Sequence, residues 1–150
     1  MTDYRCDYTL AEAERIGAAI GAALAPGDVV LLAGDLGAGK TTLARAMLKA
    51  RGLAGEAPSP TFAIVQPYAP PEVDLALAHV DLYRIEDEAE LVELGLDDYL
   101  YDGALLIEWP ERLGADGWPG ALSIRISGSG DARVLTAAVP TSWGSRWPLR

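Results

Sequence analysis

The feature that most constrains this chain is the nine-residue stretch Gly34-Asp35-Leu36-Gly37-Ala38-Gly39-Lys40-Thr41-Thr42, which fits the pattern G-x-x-x-x-G-K-[ST]. Glycines let the backbone turn tightly, so that successive amide N–H groups can face a polyphosphate. Lys40 would place a point charge on the β- and γ-phosphates, and the Thr41 hydroxyl would ligate Mg²⁺. Context supports the motif. Asp28 to Ala33 is a short, apolar, β-branched run that reads as a buried strand. Thr41 to Ala50 reads as a helix, with basic residues late and Gly52 as its stop. Strand, glycine loop and helix follow in the order that phosphate binding requires, and the helix adds its positive dipole end to the same anion.

At 150 residues the chain suits one domain with a real core, and half of it is hydrophobic. Cys6 is the only cysteine, which excludes an internal disulfide and fits a reducing compartment. Met1 to Asp7 is too polar for a secretory signal and no apolar run reaches transmembrane length, so a cytoplasmic protein is expected. The net charge of −10 is unevenly placed: Glu72 to Glu111 holds thirteen acids against Arg84 alone, and Arg112 onward holds five arginines against two acids. Such a chain repels phosphates over most of its surface and is a poor direct binder of nucleic acid. The acidic middle reads as a solvated face or as a docking surface.

Thr9 and Glu12 form a capping box, and Leu10, Ala13, Ile16, Ile20 and Leu24 recur at helical spacing, which predicts a helix up to Pro26-Gly27. This helix is expected to pack on the sheet, with its start near the nucleotide base as a further reading. Ser59-Pro60-Thr61 follows the loop helix where nucleotide hydrolases keep a switch segment, although a plain proline turn has the same signature. Phe62 to Gln66 and Leu75 to Arg84 read as antiparallel neighbouring strands. Asp81 is one candidate for the acidic partner of the metal, whereas His79 reads as a packed or capping histidine. Glu86 to Asp102 reads as short acidic helices that turn Leu91, Val92, Leu94, Leu96, Tyr99 and Leu100 inward.

Ala104-Leu105-Leu106-Ile107-Glu108 describes a central strand that delivers a carboxylate to the carboxyl edge of the sheet, where a phosphate loop also sits. Glu108 would bind Mg²⁺ directly, bind it through water, or orient the attacking water. Trp109 beside it reads as a wall of the site. Ala121 to Ser127 and Ala132 to Val139, flanking Gly128-Ser129-Gly130-Asp131, read as a hairpin. Ser142 to Arg150 reads as a loosely held tail. The fold expected is α/β: a single P-loop NTPase-like domain over residues 1–140, with a central mixed β-sheet flanked by helices and a C-terminal β-hairpin, followed by a tail over 141–150.

GDLGAGKTT, SPTF, HVDLYR and IEWPE in one short acidic chain resemble the bacterial TsaE (YjeE-like) ATPases, and the resemblance runs from the first helix to the final hairpin. It implies a Mg²⁺-dependent ATPase needed for threonylcarbamoyl modification of the adenosine next to the tRNA anticodon, acting with TsaB and TsaD and weak without them. Carried over by motif, Asp35, Leu36, Gly37, Ala38, Gly39, Lys40, Thr41 and Thr42 hold phosphates, while Thr41 and Glu108 serve Mg²⁺. Thr61 belongs to the family's switch, and Asp81 is a second acid at the γ-phosphate. Trp109 and Glu111 lie in the nucleotide-site motif, Thr9 near the base and Arg133 near the phosphates. The resemblance thus implies Lys40, Asp81 and Glu108 as catalytic. The tail beyond Val139 matches no motif.

Three rival readings make different demands on the sequence. A GTPase would need an N/T-K-x-D base-reading motif, which is absent. A small-molecule kinase would need arginines in a lid over the transferred phosphate, where this chain offers Arg84 alone. A nucleotide-gated binding module, in which ATP sets shape and turnover resets it, stays close to the ATPase reading.

Overall fold

The computed structural model describes residues 1–35, 37–55, 57, 64–114 and 117–149. Apolar runs and their turns build seven strands: β1 (Thr2–Thr9), β2 (Val29–Ala33), β3 (Val65–Tyr68), β4 (Ala76–Asp81), β5 (Gly103–Glu108), β6 (Leu122–Ser129) and β7 (Ala132–Val139). They form one mixed sheet in the order β1-β7-β6-β2-β5-β4-β3. β2 is parallel to both β5 and β6, and β4 is parallel to β5; the outer pairs are antiparallel. β2 and β5 are buried at every position, as strands covered on both faces must be. The glycine loop therefore leaves the sheet at its centre.

Helices α1 (Leu10–Ala22) and α2 (Lys40–Ala50) cover one face, over Val30, Leu32, Leu106, Leu122, Ile124 and Leu135. They approach closely because α1 presents glycine: a Cβ on Gly21 would lie 2.6 Å from the Met47 Cα. The other face, over Val29, Leu31, Val80, Leu105 and Ile107, is closed by the short helix α3 (Glu88–Glu93), the 3₁₀ turn at Leu96–Leu100 and the segment around Trp109, Leu113 and Trp118. The expected antiparallel pair is β3 and β4, and the expected hairpin is β6 and β7, with Gly130-Asp131 as its turn.

Several expectations are corrected. Met1 to Asp7 carries most of β1, an edge strand paired with β7 along its full length, and turns Tyr4, Cys6 and Tyr8 toward the core. Leu10, expected inward, is half exposed, and α1 ends at Ala22, where Arg51 and Arg146 satisfy the carbonyls of Ala22, Ala23 and Leu24. β3 extends through Pro67 to Tyr68; proline is accommodated because β3 is the sheet edge. Val92 is exposed rather than inward. Phe62 and Ala63 lie outside the described residues.

The tail is not loosely held. Trp143 and Trp147 are buried, Tyr4 meets Trp147 edge-on with ring centroids 5.5 Å apart, and the Arg146 guanidinium stacks 4.5 Å from the Trp143 ring centre. Arg146 also donates to both Asp28 carboxylate oxygens at 2.8 and 3.1 Å and to the Ala23 carbonyl at 2.7 Å, clasping the entrance of β2. Arg146→Ala is expected to cost about 2 kcal/mol, since charge-assisted contacts go and Asp28 loses its partner. In a chain of this size that lowers Tm by roughly 4–8 °C. Thermal unfolding followed by circular dichroism checks it; an unchanged Tm would mean that the clasp does not hold in solution.

Candidate nucleotide and metal site

The site lies where β2, β4 and β5 end together. β2 stops at Ala33, and Gly34 turns the chain away at φ +148°; a Cβ there would come 2.5 Å from the Ile126 carbonyl of β6. The loop closes on Gly39, which caps α2 at φ +108°, a backbone that only glycine adopts without strain. Lys40 thus opens α2. Its side chain is buried, and Nζ donates to the carbonyls of Gly34 at 2.6 Å and Asp35 at 2.9 Å. Burial pulls its ammonium below the usual lysine range, while Glu108, Glu111, Asp81 and Asp35 pull it back up.

Glu108 is 2 % exposed, at the last position of β5. The Thr41 hydroxyl lies 2.9 and 3.0 Å from its two carboxylate oxygens, joining the loop helix to the strand end. Asp81 is directly opposite Glu108 across the β4–β5 pair, is buried, and accepts from the Tyr83 amide at 2.8 Å. Gly37, Gly39, Lys40, Thr41, Thr42, Asp81, Glu108 and Trp109 line one cleft of about 230 Å³. Lys40, Asp81 and Glu108 are therefore brought together.

Trp109 is half-buried and forms a wall of this cleft. Its backbone is left-handed (φ +60°, ψ +54°), the one non-glycine case among the described residues. Such a backbone costs on the order of 1–2 kcal/mol. It sets the indole over Lys40, 4.1 Å from Nζ to the ring centre, and against Tyr83 at 4.9 Å between ring centroids.

Arg133 braces the loop from the hairpin, donating to the carbonyls of Gly37 at 3.3 Å and Ala38 at 3.2 Å. A cleft of about 260 Å³ between the loop and Ile126–Gly130 has Arg133 in its wall, and so does a second of about 600 Å³ with Tyr8, Thr9 and Glu12. Thr9 pairs with Ala132 and caps α1, its amide held by Glu12 at 3.0 Å. Thr9 and Arg133 thus meet beside the loop, outside the Lys40 cleft. Glu111 is exposed and lines a groove of about 680 Å³ over β1, β7, β6 and β2; it acts on Lys40 through charge alone. Leu36 and the whole Ser59-Pro60-Thr61 switch segment lie outside the described residues.

One partner of Glu108 was not legible: His79 is fully buried on β4, with Nε2 2.6 Å from Glu108 Oε2. Alternation along His79-Val80-Asp81 was the available signal, because it turns both polar side chains to the same face.

Do these residues suit Mg²⁺? A hydroxyl and a carboxylate, side by side at Thr41 and Glu108, are hard oxygen donors. That fits a cation that takes one or two protein oxygens and completes its shell with phosphate and water. No helix among the described residues is long and apolar enough to cross a membrane.

Comparison with known proteins points to one family. The family described as "Threonylcarbamoyl adenosine biosynthesis protein TsaE" matches residues 8–135. The tRNA threonylcarbamoyladenosine biosynthesis protein TsaE of Bacillus subtilis is 40% identical over 126 residues, 83% of this chain and 75% of that one. Its counterpart in Streptomyces coelicolor is 36% identical over 135 residues, 88% and 91% of the two chains. The crystal structure of YdiB from Bacillus subtilis superposes with a TM-score of 0.77 at 30% identity, covering 97% of this chain and 91% of that one. With the phosphate loop, the strand-end carboxylates and the hairpin all in place, this chain belongs to the TsaE family.

Proposed function

We propose that this protein is a Mg²⁺-dependent ATPase that supports threonylcarbamoyl modification of the tRNA adenosine next to the anticodon, in the cytoplasm and together with TsaD and TsaB. The observation that carries the ATPase reading is the Thr41–Glu108 contact, which sets a hydroxyl and a carboxylate side by side at the start of α2. The loop amides and Lys40 hold the β- and γ-phosphates. Thr41 and Glu108 hold Mg²⁺, which when bound neutralises phosphate charge. Asp81, or Glu108 itself, orients the water that attacks the γ-phosphorus, and ADP and phosphate leave. Thr9 lies near the base and Arg133 near the phosphates, Trp109 shields the phosphates from solvent, and Thr61 senses the γ-phosphate. Residues 1–140 act as the catalytic unit, with 141–150 as its strut.

The modification reading rests on the family and on the tRNA named for the relatives. At a net charge of −10, with no RNA-binding module in its sequence, the chain reaches tRNA through its protein partners. ATP, more than ADP, is expected to favour docking on a TsaD–TsaB pair, with hydrolysis resetting the complex between cycles. Sedimentation with that pair in ATP, ADP and no nucleotide, alongside ATP turnover with and without the pair, is the test. Tight tRNA binding by this chain alone, or docking indifferent to nucleotide, would overturn it.

A further inference from the structure

We propose that His79 is a positioning residue, which holds the Glu108 carboxylate through Nε2 in the orientation that meets Thr41 and receives the cation. The proposal rests on the reading of Glu108 as a metal-binding acid. In the parallel β4–β5 pair Asp81 is opposite Glu108, and alternation puts His79 on the same face, one step deeper under α2. The ring is fully buried and its Nε2 lies 2.6 Å from Glu108 Oε2, a short contact.

The carboxylate needs such a hold. Thr41 Oγ1 is within 3.0 Å of both Glu108 oxygens, but a hydroxyl carries one hydrogen and satisfies one oxygen at a time. With Thr41 alone, the carboxylate could rotate and exchange its oxygens. An N–H fixed in the sheet ties Oε2 down, so that Oε1 is the oxygen left to face the loop. Lys40 and Thr41 act on Glu108 from the start of α2, and His79 reaches it from β4, where Asp81 also lies opposite the acid.

The ring's other nitrogen supports this assignment. Nδ1 is buried with no hydrogen-bond partner among the described residues, so the imidazole's polar contact is with Glu108. An unpaired buried nitrogen costs the fold, and an apolar side chain of similar size would not. What the imidazole contributes is the N–H at Oε2. Sequence had it as a packed or capping histidine; packed it is, with the acid as its object.

The test uses the fact that His79 is the chain's single histidine. Imidazole ¹⁵N NMR of the intact protein is expected to show the Nε2–H form with its proton shifted downfield, and Glu108→Gln should move that signal. A ring protonated at Nδ1 alone would overturn the proposal. The second arm reads Mn²⁺ affinity of the ADP complex by electron paramagnetic resonance. His79→Leu should weaken it by about tenfold or more, as loss of an outer partner of a metal ligand does, and leave metal-free ADP affinity unchanged. His79→Gln, whose amide nitrogen reaches the Nε2 position, should restore most of it, and His79→Asn, which reaches only the Nδ1 position, should not. Wild-type Mn²⁺ affinity in His79→Leu, or equal behaviour of the Gln and Asn variants, would overturn the proposal. Should His79→Leu fail to fold, the Gln–Asn comparison decides. Absence of nucleotide binding by the wild type would instead sink the ATPase reading, while the NMR arm still reports whether His79 holds Glu108.

Discussion

Lys40→Ala should bind ATP at least about a hundredfold more weakly, a loss near 3 kcal/mol, because a charge-assisted phosphate contact disappears from a buried cleft. The side chain already stands in that cleft, held on the carbonyls of Gly34 and Asp35 beneath the Trp109 ring. Exchanging two carbonyl partners for phosphate oxygens needs only side-chain movement. Lys40→Arg should not restore full affinity: a planar guanidinium does not reproduce the ammonium's two contacts with the Gly34 and Asp35 carbonyls, and the loop accommodates a point charge. Titration of a fluorescent ATP analogue into the three proteins measures this. Equal affinities for wild type and Lys40→Ala would remove the phosphate-loop assignment.

Glu108→Gln should retain the fold and most nucleotide binding while hydrolysis falls at least about a hundredfold. The fold is expected to survive because a glutamine can still pair with the His79 ring and has nearly the same volume. What goes is the negative charge beside Thr41, on which the proposed Mg²⁺ site rests. Asp81→Asn is the companion variant, since Asp81 shares the cleft and lies opposite Glu108 on the neighbouring strand. Single-turnover hydrolysis separates the two acids from effects on binding. Full activity in Glu108→Gln, with loss confined to Asp81→Asn, would transfer the role to Asp81.

Local patterns carried a large part of the site. The glycine spacing located the loop, the apolar run before it located β2, and Ala104 to Glu108 read as a strand ending in an acid, which it is. These succeed because each rests on residues a few positions apart: turn conformation, helix start and strand alternation are local properties. The antiparallel β3–β4 pair and the β6–β7 hairpin were legible for the same reason.

Other features depend on what is far away in the chain. Thr2 to Thr9 alternates polar and apolar residues, but it is a strand because β7 offers an edge more than a hundred positions later. Pro67 argues against a strand until β3 is seen to be the sheet's edge. Trp143, Arg146 and Trp147 look like a loose end until Asp28 and Tyr4 are found beside them. Val92 shares the apolar character of its neighbours, and only the way α3 lies on the sheet leaves it in water.

By itself, then, the sequence determined the groups on offer: a glycine loop of phosphate-binding pattern, a hydroxyl and two strand-end acids, each announced by neighbours within a turn or a strand. The tertiary structure decided which of them meet. Strand order put β4 beside β5, and so His79 and Asp81 beside Glu108; the left-handed turn at Trp109 laid its ring over Lys40; the hairpin carried Arg133 back to the loop. Those contacts join residues 27 to 96 positions apart, and spacing along the chain holds no record of them, because strand pairing is chosen by burial of whole faces and not by adjacent residues.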